Sequence, residues 1–299
     1  MNILVEKDNI ILKNVDSFDI EQILECGQCF HFEKLGKREY VIVAKERLLH
    51  IRQDSDKITF FNTSKVIFDT IWEPYFDLER DYSQIKKWLI ENEQAVTKQN
   101  GVLQQAIMDK GGIRLLNQDF FETLISFIIS QNKQIPHIKQ IVNTLSIKYG
   151  KLAGVVNGKE YYCFPTLEQL SKVTDYEIRL CKTGFRAPYI LNACEKLLDK
   201  TISEQKLLEA DSNQAIEELM KIKGVGIKVA SCVALFALSK RNSFPIDVWV
   251  KRIMEKIYFK KETSKNEIAV FADKLYGEYG GYAQQYLFYY GRENNFKME

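Results

Sequence analysis

The stretch Leu219-Met-Lys-Ile-Lys-Gly-Val-Gly-Ile-Lys-Val-Ala230 constrains the fold of this chain more than any other. Two glycines flank one valine between two apolar helical patterns, which predicts two helices joined by a tight hairpin. Gly224 and Gly226 can both adopt positive φ and let a partner approach bare backbone. The second helix starts at Lys228 and continues Val229-Ala-Ser-Cys-Val-Ala-Leu-Phe-Ala-Leu238, apolar nearly all round and therefore buried. A lysine in the first turn of such a helix is poorly placed for stability. The positive helix end disfavours a cation there by about 0.3–1 kcal/mol. Apolar surroundings act in the same direction. The neutral amine that both favour is the nucleophilic form.

A Gly-Val-Gly turn (Gly224, Val225, Gly226) opening a helix presents free backbone N–H groups to an anion. Between Lys221 and Lys261 stand ten basic residues, opposed only by Asp247 and Glu255, while the whole chain carries a net charge of +2. Positive charge gathered at a phosphate-binding turn is the footprint of a nucleic-acid backbone binder. From these residues alone, a non-enzymatic clamp on DNA remains open. Asp247 follows Phe244-Pro-Ile246 and precedes a helical pattern, Val248 to Ile257, so it reads as an N-cap. Position 250 is valine, so no capping box forms. A carboxylate held there also stabilises positive charge developing on a sugar.

Leu-x-x-Ile-x-Gly-Val-Gly-x-Lys-Val-Ala, with an aspartate nineteen positions after the lysine, resembles the helix-hairpin-helix DNA glycosylases with a Gly/Pro-rich loop and catalytic Asp. Four more stretches resemble the 8-oxoguanine DNA glycosylases within them, of bacterial or archaeal type. They are Gly27-Gln-Cys-Phe30, Phe127-Ile-Ile-Ser-Gln-Asn132, Gly184-Phe-Arg-Ala-Pro-Tyr189 and Gly280-Gly-Tyr-Ala-Gln-Gln-Tyr-Leu-Phe288. The matches run in order over roughly residues 20 to 290 of the sequence.

The resemblance implies a bifunctional glycosylase and apurinic lyase acting on double-stranded DNA that contains 8-oxoguanine. Lys228 looks like the nucleophile that attacks the deoxyribose C1′ and forms a Schiff base, and Asp247 like the catalytic aspartate. Gly27 matches the glycine whose carbonyl accepts the N7 hydrogen that guanine lacks. Phe288 and Cys232 match the residues that sandwich the extruded base, and Gln284 the one that reads its Watson–Crick edge, with Phe127 in the same pocket. Asn132 matches the residue that fills the gap left in the duplex, and Phe185 the aromatic wedge. Arg186 matches an arginine on the opposite cytosine. His137 stands where animal members carry a second such arginine, implying weaker opposite-base discrimination. Val248 and Trp249 fall beside the target phosphate, where Trp249 replaces a histidine. Independently of the family, Cys232 lies four residues after Lys228, on the same helix face. Phe288 is one of seven aromatics between Tyr276 and Tyr290, most of which must be core.

Apolar residues make up 45% and charged residues 27% of 299, the composition of a globular protein. No run approaches a membrane span, and Met1 to Asp8 lacks the shape of a signal peptide. A cytoplasmic, nucleoid-associated monomer without metal or cofactor is expected. Cys26-Gly-Gln-Cys29 is the sole CxxC and has no second pair to complete a zinc site. A four-cysteine run like that of the iron–sulfur relatives is absent.

Residues 1–103 read as a small antiparallel sheet domain. Strand-like segments lie at Ile3–Glu6, Ile10–Lys13, Glu39–Val43, Leu48–Arg52 and Lys57–Phe61, with helices at Asp19–Leu24 and Asp81–Leu89. Residues 104–299 read as an all-helical domain, strand signals vanishing after about residue 100. Strands followed by helices indicate an α+β fold.

Overall fold

A computed structural model of the protein describes residues 1–97 and 101–294. Its N-terminal part is one antiparallel sheet of six strands: β1 (Asn2–Glu6), β2 (Asn9–Lys13), β3 (Phe32–Gly36), β4 (Glu39–Ala44), β5 (Arg47–Asp54) and β6 (Lys57–Phe61). Their spatial order is β1-β2-β6-β5-β4-β3. Five of the six were predicted; β3 was not, because Phe32-Glu-Lys-Leu-Gly36 carries a weak apolar pattern and a glycine. The helix expected from Asp19 spans Ile20–Glu25, and the Asp19 carboxylate caps it by accepting from the amides of Glu21 and Gln22. Ile10, Ile51, Phe60 and Trp72 form the core on one sheet face.

From Tyr82 onward helices dominate. Tyr82–Thr97 and Val102–Lys110 pack with Phe120–Ser130, Ile135–Tyr149, Ile227–Ala237 and Gly280–Glu293 around one large core. The expectation of an all-helical second part needs one correction. Leu152–Val156 (β7) and Lys159–Tyr162 (β8) form a hairpin. Asn157 and Gly158 both have positive φ (51° and 78°), the backbone of a two-residue primed turn. The Asn-Gly signal was legible in the sequence. The hairpin belongs with the sheet in space: Tyr161 and Cys163 pack on Val41 and Val43. Among the described residues no helix is long and apolar enough to cross a membrane.

The two cores are joined at residues 26–30. Cys26 and Phe30 lie in the helical core, while Cys29 lies in the sheet core. Between them Gln28 is fully buried. Its Nε2 donates to the carbonyls of Ile23 (2.9 Å) and Arg114 (2.8 Å), and its Oε1 accepts from the Leu116 amide (2.9 Å). Each buried group stranded by losing such a partner costs about 1–3 kcal/mol. Replacement of Gln28 by Leu is therefore expected to lower stability by about 2–4 kcal/mol. Urea denaturation measures this, and a loss under about 1 kcal/mol would show that the amide is not the joint.

Candidate active site

The hairpin forms as the sequence requires, with one difference. Ser212–Leu219 and Ile227–Ala237 are its helices. Gly224 has φ +79°, and a Cβ there would lie 2.3 Å from the ring of Tyr189. Glycine is thus demanded by the protein's own packing. Gly226 does not share the positive φ: it is extended (φ −97°, ψ 176°) and is the N-cap of the second helix. A Cβ on Gly226 would meet no protein atom within 4 Å, so the space it leaves faces outward. No side chain caps this helix, which leaves its first amides open to a ligand. Val225 is buried and anchors the turn.

Lys228 is half-buried in the first turn. Its Nζ lies 3.4 Å from Ser130 Oγ and 5.1 Å from the centre of the Phe127 ring. Phe127 is itself held by stacking on Phe236 at 5.6 Å. One turn on, burial pushes the Cys232 thiol up to about 11, with Lys228 pulling the other way. Cys232 is therefore a neutral, apolar surface.

Asp247 caps Val248–Met254 by accepting from the Val250 amide at 2.8 Å, and there is no capping box. Burial raises its pKa above the ordinary 3.8, against the Val250 hydrogen bond and the nearby Lys228, which lower it. Both residues line a single cleft of about 890 Å³, together with Gly27, Phe127, Asn132, Gly226, Val248, Trp249 and Phe288. Gly27 has φ +82°, and a Cβ there would press on Phe288 (3.1 Å) and Ile135 (3.3 Å). Its conformation excludes other residues, and its position puts bare backbone beside an aromatic face.

Cys232 and Gln284 lie behind the cleft wall, each 4% exposed, and Gln284 Oε1 accepts from Gln285 Nε2 at 2.9 Å. Phe185 is 48% exposed on the turn Gly184–Arg186 and packs edge-on against Tyr189. Asn132 is exposed with φ +51°, and His137 is exposed in the first turns of Ile135–Tyr149. Arg186 points inward: it is buried and donates to the carbonyls of Thr183 (3.2 Å) and Gln131.

The basic cluster is less free than its count suggests. Lys221 pairs with Glu218, Lys251 with Glu255, Lys240 donates to Leu208 and Ala210 carbonyls, and Arg241 to the Leu235 carbonyl. These side chains pair with acids within a helical turn or close helix ends distant in sequence.

The paired lysine and aspartate behind a glycine hairpin, fed by a glycine from the sheet side, agree with two family models. Residues 10–124 match the 8-oxoguanine DNA glycosylase N-terminal domain, and residues 125–276 the HhH-GPD superfamily of base excision DNA repair proteins. The chain belongs to the 8-oxoguanine DNA glycosylase family. The solved 8-oxoguanine glycosylase/lyase of Clostridium acetobutylicum, in complex with dsDNA containing cytosine opposite 8-oxoG, is similar to it with a TM-score of 0.93 and 37% identity, covering 99% of each chain. An N-glycosylase/DNA lyase of Saccharomyces cerevisiae is 34% identical over 211 residues, 59% of this chain and 56% of the relative. A probable N-glycosylase/DNA lyase of Methanothermobacter thermautotrophicus is 32% identical over 203 residues, 61% and 64% of the two chains. The match thus spans less than two thirds of either of these curated relatives.

In this family member, sequence reasoning gave no role to Ser130, Tyr189 or Arg292. Ser130 and Arg292 line the cleft, and Tyr189 supports Gly224. Arg292 was findable, since it lies four residues after Phe288 and so on the same helix face.

The observed capping role of Asp247 can be separated from the catalytic role that the resemblance implies. Asn caps a helix as well as Asp does, so Asp247→Asn keeps the fold. Because burial raises the folded-state pKa, the carboxylate form is a cost to the native state above that pKa. The cost fades as pH falls from there to the unfolded value, below which both states are protonated. Asp247→Asn is therefore expected to melt no lower than the wild type at neutral pH, the gap closing under acid, while base excision drops roughly 10²–10³-fold. A variant that melts lower at neutral pH would overturn this account.

Proposed function

We propose that the chain is a bifunctional 8-oxoguanine DNA glycosylase and apurinic lyase acting on double-stranded DNA, as a monomer without cofactor. The observation that carries this reading is the sharing of one cleft by Lys228, Asp247, Gly27 and Phe288. The Lys228 amine attacks C1′, and the bond from C1′ to N9 breaks with its electron pair leaving on the base, which takes up a proton. Asp247 stabilises the positive charge that develops on the sugar. Loss of a proton from nitrogen and ring opening give the Schiff base. Removal of a C2′ proton then breaks the bond from C3′ to the 3′ phosphate.

Before this chemistry, the amides at Gly226 hold a backbone phosphate, Phe185 enters the stack and Asn132 fills the vacated space. Extrusion costs a few kcal/mol, and these contacts offset it. Phe288 and Cys232 enclose the base, the Gly27 carbonyl takes the N7 hydrogen, and Gln284 reads the far edge. A buried acceptor left facing the lone pair of guanine costs about 1–3 kcal/mol, which is the discrimination.

Incubation with a duplex carrying 8-oxoguanine opposite cytosine, followed by borohydride, is expected to give a covalent protein–DNA band that Lys228→Gln abolishes. Base release without a band would remove the Schiff base from the mechanism, and neither would remove the substrate assignment.

Opposite-base readout is proposed to be relaxed, since the two ring nitrogens of His137 point apart and cannot make the parallel pair of hydrogen bonds that a guanidinium fork makes. His137→Arg is expected to raise the preference for cytosine over other opposing bases by about tenfold, the worth of one good bidentate pair. Excision rates opposite all four bases measure this, and an unchanged ratio would place discrimination elsewhere.

A further inference from the structure

Among the described residues, Arg292 is the one guanidinium on the cleft wall, and the reaction above does not use it. It sits near the end of Gly280–Glu293, one turn beyond Phe288. Its Nη2 donates to the Glu25 carbonyl at 2.6 Å, and its guanidinium lies 4.8 Å from the Tyr289 ring centre and 5.7 Å from that of Phe288. The group is therefore fixed in place. Its Nη1 is withdrawn from solvent, has no hydrogen-bond partner among the described residues, and lies 3.6 Å from where a Cβ on Gly27 would be. A charged donor held dry and unpaired is costly and asks for an acceptor that arrives later.

The chemistry of the base supplies one. The edge of 8-oxoguanine that meets the Gly27 carbonyl shows O6, N7–H and O8 in a row: acceptor, donor, acceptor. A carbonyl satisfies only the middle group, and the flanking oxygens need donors. We propose that Arg292 is a base-recognition residue, whose Nη1 donates to a carbonyl oxygen flanking N7 of the extruded base. This inference rests on the 8-oxoguanine reading given above. Together Gly27 and Arg292 make a donor–acceptor pair that guanine meets with a lone pair where N7–H should be, and with no O8.

The test compares wild type, Arg292→Met and Arg292→Lys on two duplexes, one with 8-oxoguanine and one with a preformed abasic site. Met keeps the unbranched apolar stem and removes the donors. Lys keeps the charge but cannot serve Glu25 and the base together. The ratio of excision to abasic-site cleavage is expected to fall about 10–100-fold in Arg292→Met, as for loss of a charged hydrogen bond, and less in Arg292→Lys. Because no base fills the pocket of an abasic duplex, equal loss on both substrates would make Arg292 merely structural and overturn the proposal. An unchanged ratio in both variants would also overturn it. A third duplex, with 8-oxoadenine, retains O8 but carries an amine at C6. The same fall there assigns the contact to O8, and a fall confined to 8-oxoguanine assigns it to O6. If wild type leaves the 8-oxoguanine duplex intact, the substrate reading has failed instead, a result distinct from any of these.

Discussion

The buried amide of Gln28 is the constraint on which the geometry of the site depends. It holds the segment Arg114–Leu116 from one side, and from the other the Gln118 side chain donates back to the Gln28 carbonyl at 2.8 Å. The Gln118 amide in turn donates to the carbonyl of Phe236 at 3.0 Å, on the helix that begins with Lys228. An unbroken line of hydrogen bonds thus runs from the residue next to Gly27 to the helix of the amine. In a dry interior such bonds are strong when complete and costly when broken. The separation between Gly27 and the helix of Lys228 is set by this line, which adds direction to the apolar packing. The five residues from Cys26 to Phe30 enter both cores, so neither part can shift without dragging Gly27.

What was legible in the sequence is what local chemistry decides. The Gly-Val-Gly turn, the Asp247 cap and five of six strands carry their reasons within a few residues. Gly224 was read correctly as a positive-φ position, but its obligation comes from Tyr189, thirty-five positions earlier in the chain and invisible to any local pattern. Gly226 was read as its twin and is extended instead, because the N-cap of a helix requires that backbone. The β7–β8 hairpin was missed despite its Asn-Gly turn, since the helical periods around it dominated. Gln28 drew no attention beyond its place in a motif; its partners at 114 and 116 exist only in the folded chain. The basic cluster shows the opposite error. Linear density of charge overstated the free charge, since Lys240 and Arg241 are used to close helix ends.

Asp247 is placed where stability alone would not put a carboxylate, since burial opposes its charged form, and Lys228 shares its cleft. Their immediate surroundings differ: Asp247 accepts from the amide of its own helix, and Lys228 lies beside Ser130, the Phe127 face and the thiol of Cys232. The core around them is large, aromatic-rich and crossed by the Gln28 line.

The wall of the cleft is formed by only some of the residues that the resemblance implies. Gly27, Phe288, Lys228 and Asp247 already face the open space, whereas Gln284 is closed behind it and Arg186 is turned inward. Arg186 donates to the carbonyl of Gln131, immediately before Asn132, and its guanidinium lies 4.2 Å from the Phe185 ring. For this guanidinium to reach a base across the duplex, it must first release the Gln131 carbonyl. Releasing it frees the loop of Asn132 at the same moment that Phe185 loses its backing. Arg186, Asn132 and Phe185, the three groups proposed to act on the duplex, are thus joined through one side chain, and the energy needed to uncouple them is that of charge-assisted hydrogen bonds, each about 1.5–3 kcal/mol. On the reading proposed above, such a clasp confines rearrangement to the side of the site that carries Arg186, Asn132 and Phe185, and leaves Gly27 and Phe288 where they are.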